Sequence, residues 1–360
     1  MFRNIITLLM FCCISFSIHA EEVTLINNHP DRHVVVKGDT LWGISAKFLK
    51  DPWQWPKVWR LNRAQIKNPH LIYPGDVVVL DTSSGMPQLS LLHESITLQP
   101  GAVIEPLEKS AISTISLNVI APFLSQPLVI EKDQLSSSPR IIAGQDNRVV
   151  LSPGTRIYIN KITEGDGLNW FVYRPNGNLV DPDTNEILGV EAQYLGDAKI
   201  TKYGEPASAD ITKAKEEIFT KDKLVPTDDK IITNFVPHAP DTAISGRIIN
   251  IYGGVAEAGP ESIVSISRGA KDGLEIGHVL AISRYGKVIK DPESTKGTEP
   301  VVNYGDKAAT SKLVLEPGMI KLPDERIGLL MVFRVFDRVS YALIMQASQP
   351  INKLDSVQTP

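Results

Sequence analysis

The stretch Val34-Val35-Val36-Lys37-Gly38-Asp39-Thr40-Leu41-Trp42-Gly43-Ile44 decides how the N-terminal part of the chain folds. His33–Val36 is a short β-branched run that suits a strand. Lys37-Gly38-Asp39-Thr40 is a tight turn. Asp39 or Thr40 can cap a following helix, because a side-chain oxygen there takes up one of the open backbone N–H groups. Leu41, Ile44 and Phe48 then recur at i, i+3 and i+7 and share one helical face. Pro52 ends that helix. Pro56 suits the first turn of a second helix, Pro56–Arg63, with Val58 and Leu61 available for the core. Asn68-Pro69-His70-Leu71 is a loop, and Tyr73-Pro74-Gly75-Asp76 turns into a last strand, Val77–Leu80. The order is strand–helix–helix–strand, a βααβ unit over residues 33–81.

This unit resembles a LysM domain. The resemblance is carried by Val36-Lys37-Gly38-Asp39-Thr40-Leu41 with Ile44, then Asn62, then Ile72-Tyr73-Pro74-Gly75-Asp76 before the terminal strand. It implies a module that binds N-acetylglucosamine-containing glycans such as peptidoglycan and chitin. In that family the sugar lies between the loop after the first strand and the loop before the second. Carried over, the glycan-binding residues are Gly38, Asp39, Thr40, Leu41 and Trp42 with Pro69, His70, Leu71 and Ile72.

The chemistry of the sugar suits such a groove. An acetamide donates and accepts hydrogen bonds, which backbone groups of two converging loops supply, and Leu or Ile can pack on its methyl. Each bond contributes only about 1 kcal/mol net in water. One site is therefore expected to bind weakly, and a long polymer compensates by offering many sites. Four of the five tryptophans fall here: Trp42, Trp53, Trp55 and Trp59. Stacking on sugar is one use for them; filling the core of a very small unit is the other. Trp55 and Trp59 are four residues apart on one helix face, which favours the core for at least one. Trp42, beside the turn, fits either use, and His70 is equally compatible with sugar contact and with a solvated loop.

Upstream, Arg3 and the apolar run Ile5–Ile18, closing at Ala20 before Glu21-Glu22, read as a secretory signal over residues 1–20. The run is shorter than a spanning helix needs, and the mature chain offers no transmembrane segment. Both cysteines, Cys12 and Cys13, lie inside that signal. The mature chain then has no disulfide, thiolate nucleophile or Cys-bound metal. The remaining histidines are scattered, without a zinc-ligand motif, and there is no nucleophile elbow. No catalytic residue, metal site or cofactor is assigned. Glu191, Glu216 and Glu217 are the carboxylates a glycosidase reading would use, although Glu216 and Glu217 suit a solvated face better. Lys plus Arg number 37 against 41 Asp plus Glu, a net charge of −4, which argues against a nucleic-acid partner.

Downstream, residues 82–90 read as a linker, and 91–145 are ambiguous between strand and irregular structure. From 146 the chain is a series of short β-like runs broken by Gly, Asn and Asp. One helix is expected at 209–219, capped by Asp210. An ordered echo suggests two related β units, 146–233 and 244–360. Asp166-Gly167-Leu168, Arg174 and Asp222 recur as Asp272-Gly273-Leu274, Arg284 and Asp355. These units faintly resemble the small β-barrel modules of envelope and flagellar assembly proteins. The fold class is α+β: a small LysM-like domain followed by a mostly-β region. The expected function is non-catalytic peptidoglycan binding in the cell envelope, in the periplasm if the host is Gram-negative. Residues 146–360 then serve an envelope-protein partner or structural support. The alternatives are a peptidoglycan-targeted lytic enzyme and an envelope assembly factor.

Overall fold

The computed structural model describes residues 23–59, 72–83, 85–92, 114–115, 119–120, 123–124, 129–130, 137–227, 235–252, 257–286, 288–291 and 318–360. The expected signal (1–20), the end of the second helix with Asn62, and Pro69, His70 and Leu71 lie outside these residues. The chain forms two compact units, residues 1–112 and 113–360. Among the described residues, no helix is long and apolar enough to cross a membrane.

In the first unit, β1 (Arg32–Val34) pairs antiparallel with β2 (Val77–Asp81). Between them lie α1 (Leu41–Ser45), a single turn of tighter helix at Pro52–Gln54, and α2 (Trp55–Val58). A third strand, β3 (Gln88–Leu92), pairs along β2 from Asp81↔Gln88 to Val77↔Leu92. The expected linker over 82–90 is therefore corrected: it is a hairpin turn and the start of a strand. Gln-Leu-Ser-Leu alternates with period two, and Leu89 enters the core beside Val35, Leu41, Ile44, Phe48 and Val78. The chain before β1 also joins this unit, since Ile26 donates to Phe48 and Lys50 to Thr24.

Among its described residues, the second unit is mostly β. Its strands begin with β4 (Val129–Ile130), β5 (Arg140–Gly144), β6 (Arg156–Asn160), β7 (Asn169–Val180), β8 (Ile187–Lys202), β9 (Ala207–Ala214) and β10 (Lys223–Pro226). Strands β8-β7-β10-β5-β6-β9 pair in that order, and β9 returns to β8, closing a first barrel with β4 added along β8. The ambiguous segment 91–145 thus contributes β5 to this barrel, which begins before residue 146. Ile141, Ile157, Ile159, Trp170, Val172 and Ile211 fill the interior.

The expected helix at 209–219 is corrected to strand. Ala207, Ala209 and Ile211 are buried in alternation while Ser208 and Asp210 point outward. Asp210 does not cap a helix; it sits opposite Arg156 on β6, Nε to Oδ1 at 3.0 Å. Closure of the ring overrides the helix propensity of the Ala- and Lys-rich sequence.

The chain continues through β11 (Ser245–Ile251), β12 (Glu257–Ala258), β13 (Ile263–Ile266), β14 (Val279–Arg284), β15 (Val288–Lys290) and β16 (Met319–Lys321). It ends with β17 (Glu325–Val335), β18 (Ser340–Ala347), β19 (Ile351–Asn352) and β20 (Ser356–Gln358). Strands β11-β13-β18-β17-β14-β20 close a second barrel, with β12–β19 and β15–β16 as small appended pairs. Numbered from its own first strand, each barrel runs 1-2-5-4-3-6 around the ring.

Matching positions hold matching bonds. Arg174 on β7 grips Asp222 just before β10, Nε to Oδ1 at 2.9 Å and a terminal nitrogen to Oδ2 at 2.8 Å. Arg284 on β14 grips Asp355 just before β20 in the same way, at 3.4 and 3.2 Å. Each aspartate also caps its own turn, taking the N–H of Phe219 or of Asn352 at 2.8 Å.

Candidate functional site

Two similar turns face each other in the first unit. Val36-Lys37-Gly38-Asp39 follows β1, and Tyr73-Pro74-Gly75-Asp76 precedes β2. In each, the aspartate Oδ2 accepts the N–H three residues back, Val36 or Tyr73, at 2.9 Å. In each, the glycine before it has positive φ, 97° at Gly38 and 101° at Gly75, where a side chain is strained. Val35 joins the turns: its N–H donates to Asp76 at 2.8 Å, and its carbonyl accepts from Gly75 at 2.8 Å.

The first turn is braced from behind. His33 Nε2 donates to Asp39 Oδ2 at 2.8 Å, and Lys47 Nζ reaches His33 Nδ1 at 3.3 Å. Burial works to raise the Asp39 pKa. The Val36 N–H, the His33 hydrogen bond and the charges of His33 and Lys47 outweigh it, so the carboxyl lies below the ordinary aspartate value. Thr40 is the helix cap, its Oγ1 accepting the N–H of Gly43 at 3.0 Å.

Of the residues carried over from the resemblance, Gly38 is exposed, and Asp39 and Thr40 are partly exposed. Leu41, Trp42 and Ile72 are brought to the same place but are buried at 2%, 4% and 0%. Their side chains shape the floor of the site and pack the core, while the exposed rim is the turn backbone. Trp53, Trp55 and Trp59 are buried too, so of the two uses left open by the sequence all four indoles take the packing one in this structure. Among the described residues, the indole nitrogens of all four have no hydrogen-bond partner. Sequence reasoning missed the brace of His33 and Lys47, as well as Val36, exposed at 55% at the mouth of the turn. The one signal for the brace is a histidine in the strand that precedes an acidic turn.

In the second unit, Glu191 accepts from Asn250 Nδ2 at 3.3 Å and Glu216 from Gln193 Nε2 at 2.6 Å. Glu216 follows β9 at a bend rather than on a helix. Among the described residues, His238, Glu275 and His278 form the one group with the composition of a metal site. His238 Nδ1 donates to Val236 O at 2.9 Å. His278 Nδ1 accepts the N–H of Glu275 at 3.1 Å. The Nδ1 of His278 is thus engaged by the backbone, and a neutral His278 carries its proton on Nε2.

Residues 33–81 match the family model described as LysM domain, and they form a LysM domain, a binding module for glycans of the peptidoglycan or chitin type. A stretch of 55 residues is 38% identical to an uncharacterized protein, YqbP, of Bacillus subtilis (strain 168), covering 13% of this chain and 25% of that protein. The chain therefore matches only a quarter of the length of this relative.

Proposed function

We propose that the protein is a non-catalytic peptidoglycan-binding protein of the cell envelope. Its LysM domain grips glycan strands, and its two barrels give a rigid body for structural support or a protein partner. The observation that carries the reading is the pair of Gly-Asp turns locked together through Val35. Two loops fixed in this way present their remaining backbone groups to one acetamide without a further ordering cost. Gly38, Asp39, Thr40, Leu41, Trp42 and Ile72 are the described residues of this site, and Pro69, His70 and Leu71 are assigned to it on the resemblance alone.

Secretion through the signal at 1–20 puts the protein outside the cytoplasm, in the periplasm if the host has an outer membrane. The common strand order and the paired Arg–Asp clasps support reading the barrels as repeats of one unit. The test is co-sedimentation of the purified chain with peptidoglycan sacculi, scored for both pelleting and released muropeptides. Pelleting without release supports the proposal; release establishes a lytic enzyme instead.

A further inference from the structure

Two turns of the LysM domain are built alike, and one of them carries an addition. Asp39 and Asp76 each accept the N–H three residues back at 2.9 Å, behind a glycine of positive φ. Among the described residues, no side chain holds the Asp76 carboxylate. Asp39 is held by His33, and His33 by Lys47. The brace is therefore not needed to close a turn of this kind.

The brace also occupies a place that suits an apolar side chain. His33 is paired with Val78, which is fully buried. Paired residues of an antiparallel ladder share a face, so β1 turns His33 toward the core side. Its side chain keeps only 15% of its surface exposed. An imidazole in that place loses hydration that an aliphatic side chain would not need.

Each link of the brace sets the next. Lys47 can only donate, so at 3.3 Å it takes up the lone pair of His33 Nδ1. A neutral His33 then carries its proton on Nε2, 2.8 Å from Asp39 Oδ2. Oδ2 receives two donors, the His33 ring and the Val36 N–H, and these fix the orientation of the carboxylate. The other oxygen, Oδ1, has no hydrogen-bond partner among the described residues, and the side chain is 18% exposed. Asp39 stands between exposed Gly38 and partly exposed Thr40, at the mouth of the site.

We infer that His33 and Lys47 are positioning residues of the glycan site: they hold the Asp39 carboxylate so that Oδ1 accepts an N–H or O–H of the sugar. Without them the carboxylate is free to turn, and binding has to order it. The inference rests on the glycan-binding reading and adds to it two residues that act through the turn rather than on the sugar.

The test is calorimetric titration of the full chain with chitohexaose, beside His33→Leu, His33→Gln and Lys47→Met. Leu suits the core side of β1, and circular dichroism checks that each variant is folded. His33→Leu is expected to lower affinity about tenfold, the scale of one charge-assisted hydrogen bond. Gln offers an N–H to Asp39 and an oxygen to Lys47, so His33→Gln is expected to keep most of the affinity. Lys47→Met, which leaves the His33 tautomer unfixed, is expected to fall between them. Acidification separates positioning from packing, because chitohexaose has no ionisable group. Burial raises the Asp39 pKa, and the Val36 N–H, His33 of β1 and Lys47 of the turn after α1 lower it by more. Removing His33 lets the carboxyl protonate sooner, so His33→Leu is expected to lose its remaining binding at a higher pH than wild type. A wild type that binds neither chitohexaose nor sacculi overturns the glycan reading and this inference together. A wild type that binds, with His33→Leu or Lys47→Met binding as tightly, or with His33→Gln falling as far as His33→Leu, overturns this inference alone. Loss of binding at the same pH in wild type and His33→Leu does so as well.

Discussion

His33 Nε2 donates to Asp39 Oδ2 at 2.8 Å, and the same carboxylate oxygen closes the first glycan-site turn by accepting the N–H of Val36. One aspartate therefore couples the strand before the turn to the turn itself. Its pKa is held below the ordinary value. A carboxyl lowered in the folded state contributes stability above its unfolded pKa, about 3.9. That stability is lost as pH falls through the folded value. Asp39→Asn is expected to lower the stability of the LysM domain by about 1–2 kcal/mol at neutral pH. It is also expected to flatten the dependence on pH below about 4. Tryptophan fluorescence during urea unfolding reads this, because four of the five tryptophans lie in this domain.

Gly38 and Gly75 have open space where a side-chain methyl would stand, but their φ is positive, so the cost of substitution is conformational rather than steric. Gly38→Ala and Gly75→Ala are each expected to destabilise the domain by about 1–2 kcal/mol. Asn, which tolerates this backbone region, is expected to cost less at both sites. Equal losses for Ala and Asn in urea unfolding would contradict this account.

Asp222 is nearly buried and takes two bonds from Arg174 and one from the Phe219 N–H. Removing the arginine leaves a buried carboxylate without its counter-charge. Arg174→Ala is expected to cost the first barrel roughly 2–3 kcal/mol, at or below the low end for buried pairs because the guanidinium is about one-third exposed. Arg284→Ala is expected to act likewise on the second barrel. Neither change is expected to alter glycan binding, which separates barrel stability from the site.

His278 is held below the ordinary histidine pKa by burial and by the charge of His238, with Glu275 and Asp241 opposing. A histidine lowered in the folded state costs stability as pH falls from its unfolded value, about 6.5. Thermal unfolding of the chain is expected to show a transition that weakens below that pH, and His278→Gln is expected to remove the dependence.

The parts of the fold that were legible in the sequence are those fixed by local rules. Gly38-Asp39 and Gly75-Asp76 announce turns because positive φ and aspartate side-chain acceptance are properties of a few adjacent residues. Trp42 is different: an amphipathic ring at a turn fits core and groove alike, and only the packing around it places it inside. The strand at Ala207–Ala214 is hidden because its inward residues are mostly alanines, whose alternation carries little hydrophobic contrast, while the following Lys and Glu favour helix. Arg174, Arg284, Asp222 and Asp355 stand out as echoes in sequence order. That each arginine closes on its aspartate depends on strands 3 and 6 being neighbours around the ring, which no local pattern encodes.

The central claim is that the joined turns bind glycan. The most direct measurement is sacculus co-sedimentation of the full chain beside Thr40→Arg and Thr40→Ser, with chito-oligosaccharide as competitor. Thr40→Ser keeps the helix cap, whereas Thr40→Arg loses it, at about 1 kcal/mol, and fills the mouth of the site. The account predicts that wild type and Thr40→Ser pellet, that the oligosaccharide releases them, and that Thr40→Arg stays in solution while its tryptophan emission remains native. Equal pelleting of Thr40→Arg, or pelleting indifferent to the oligosaccharide, would contradict it.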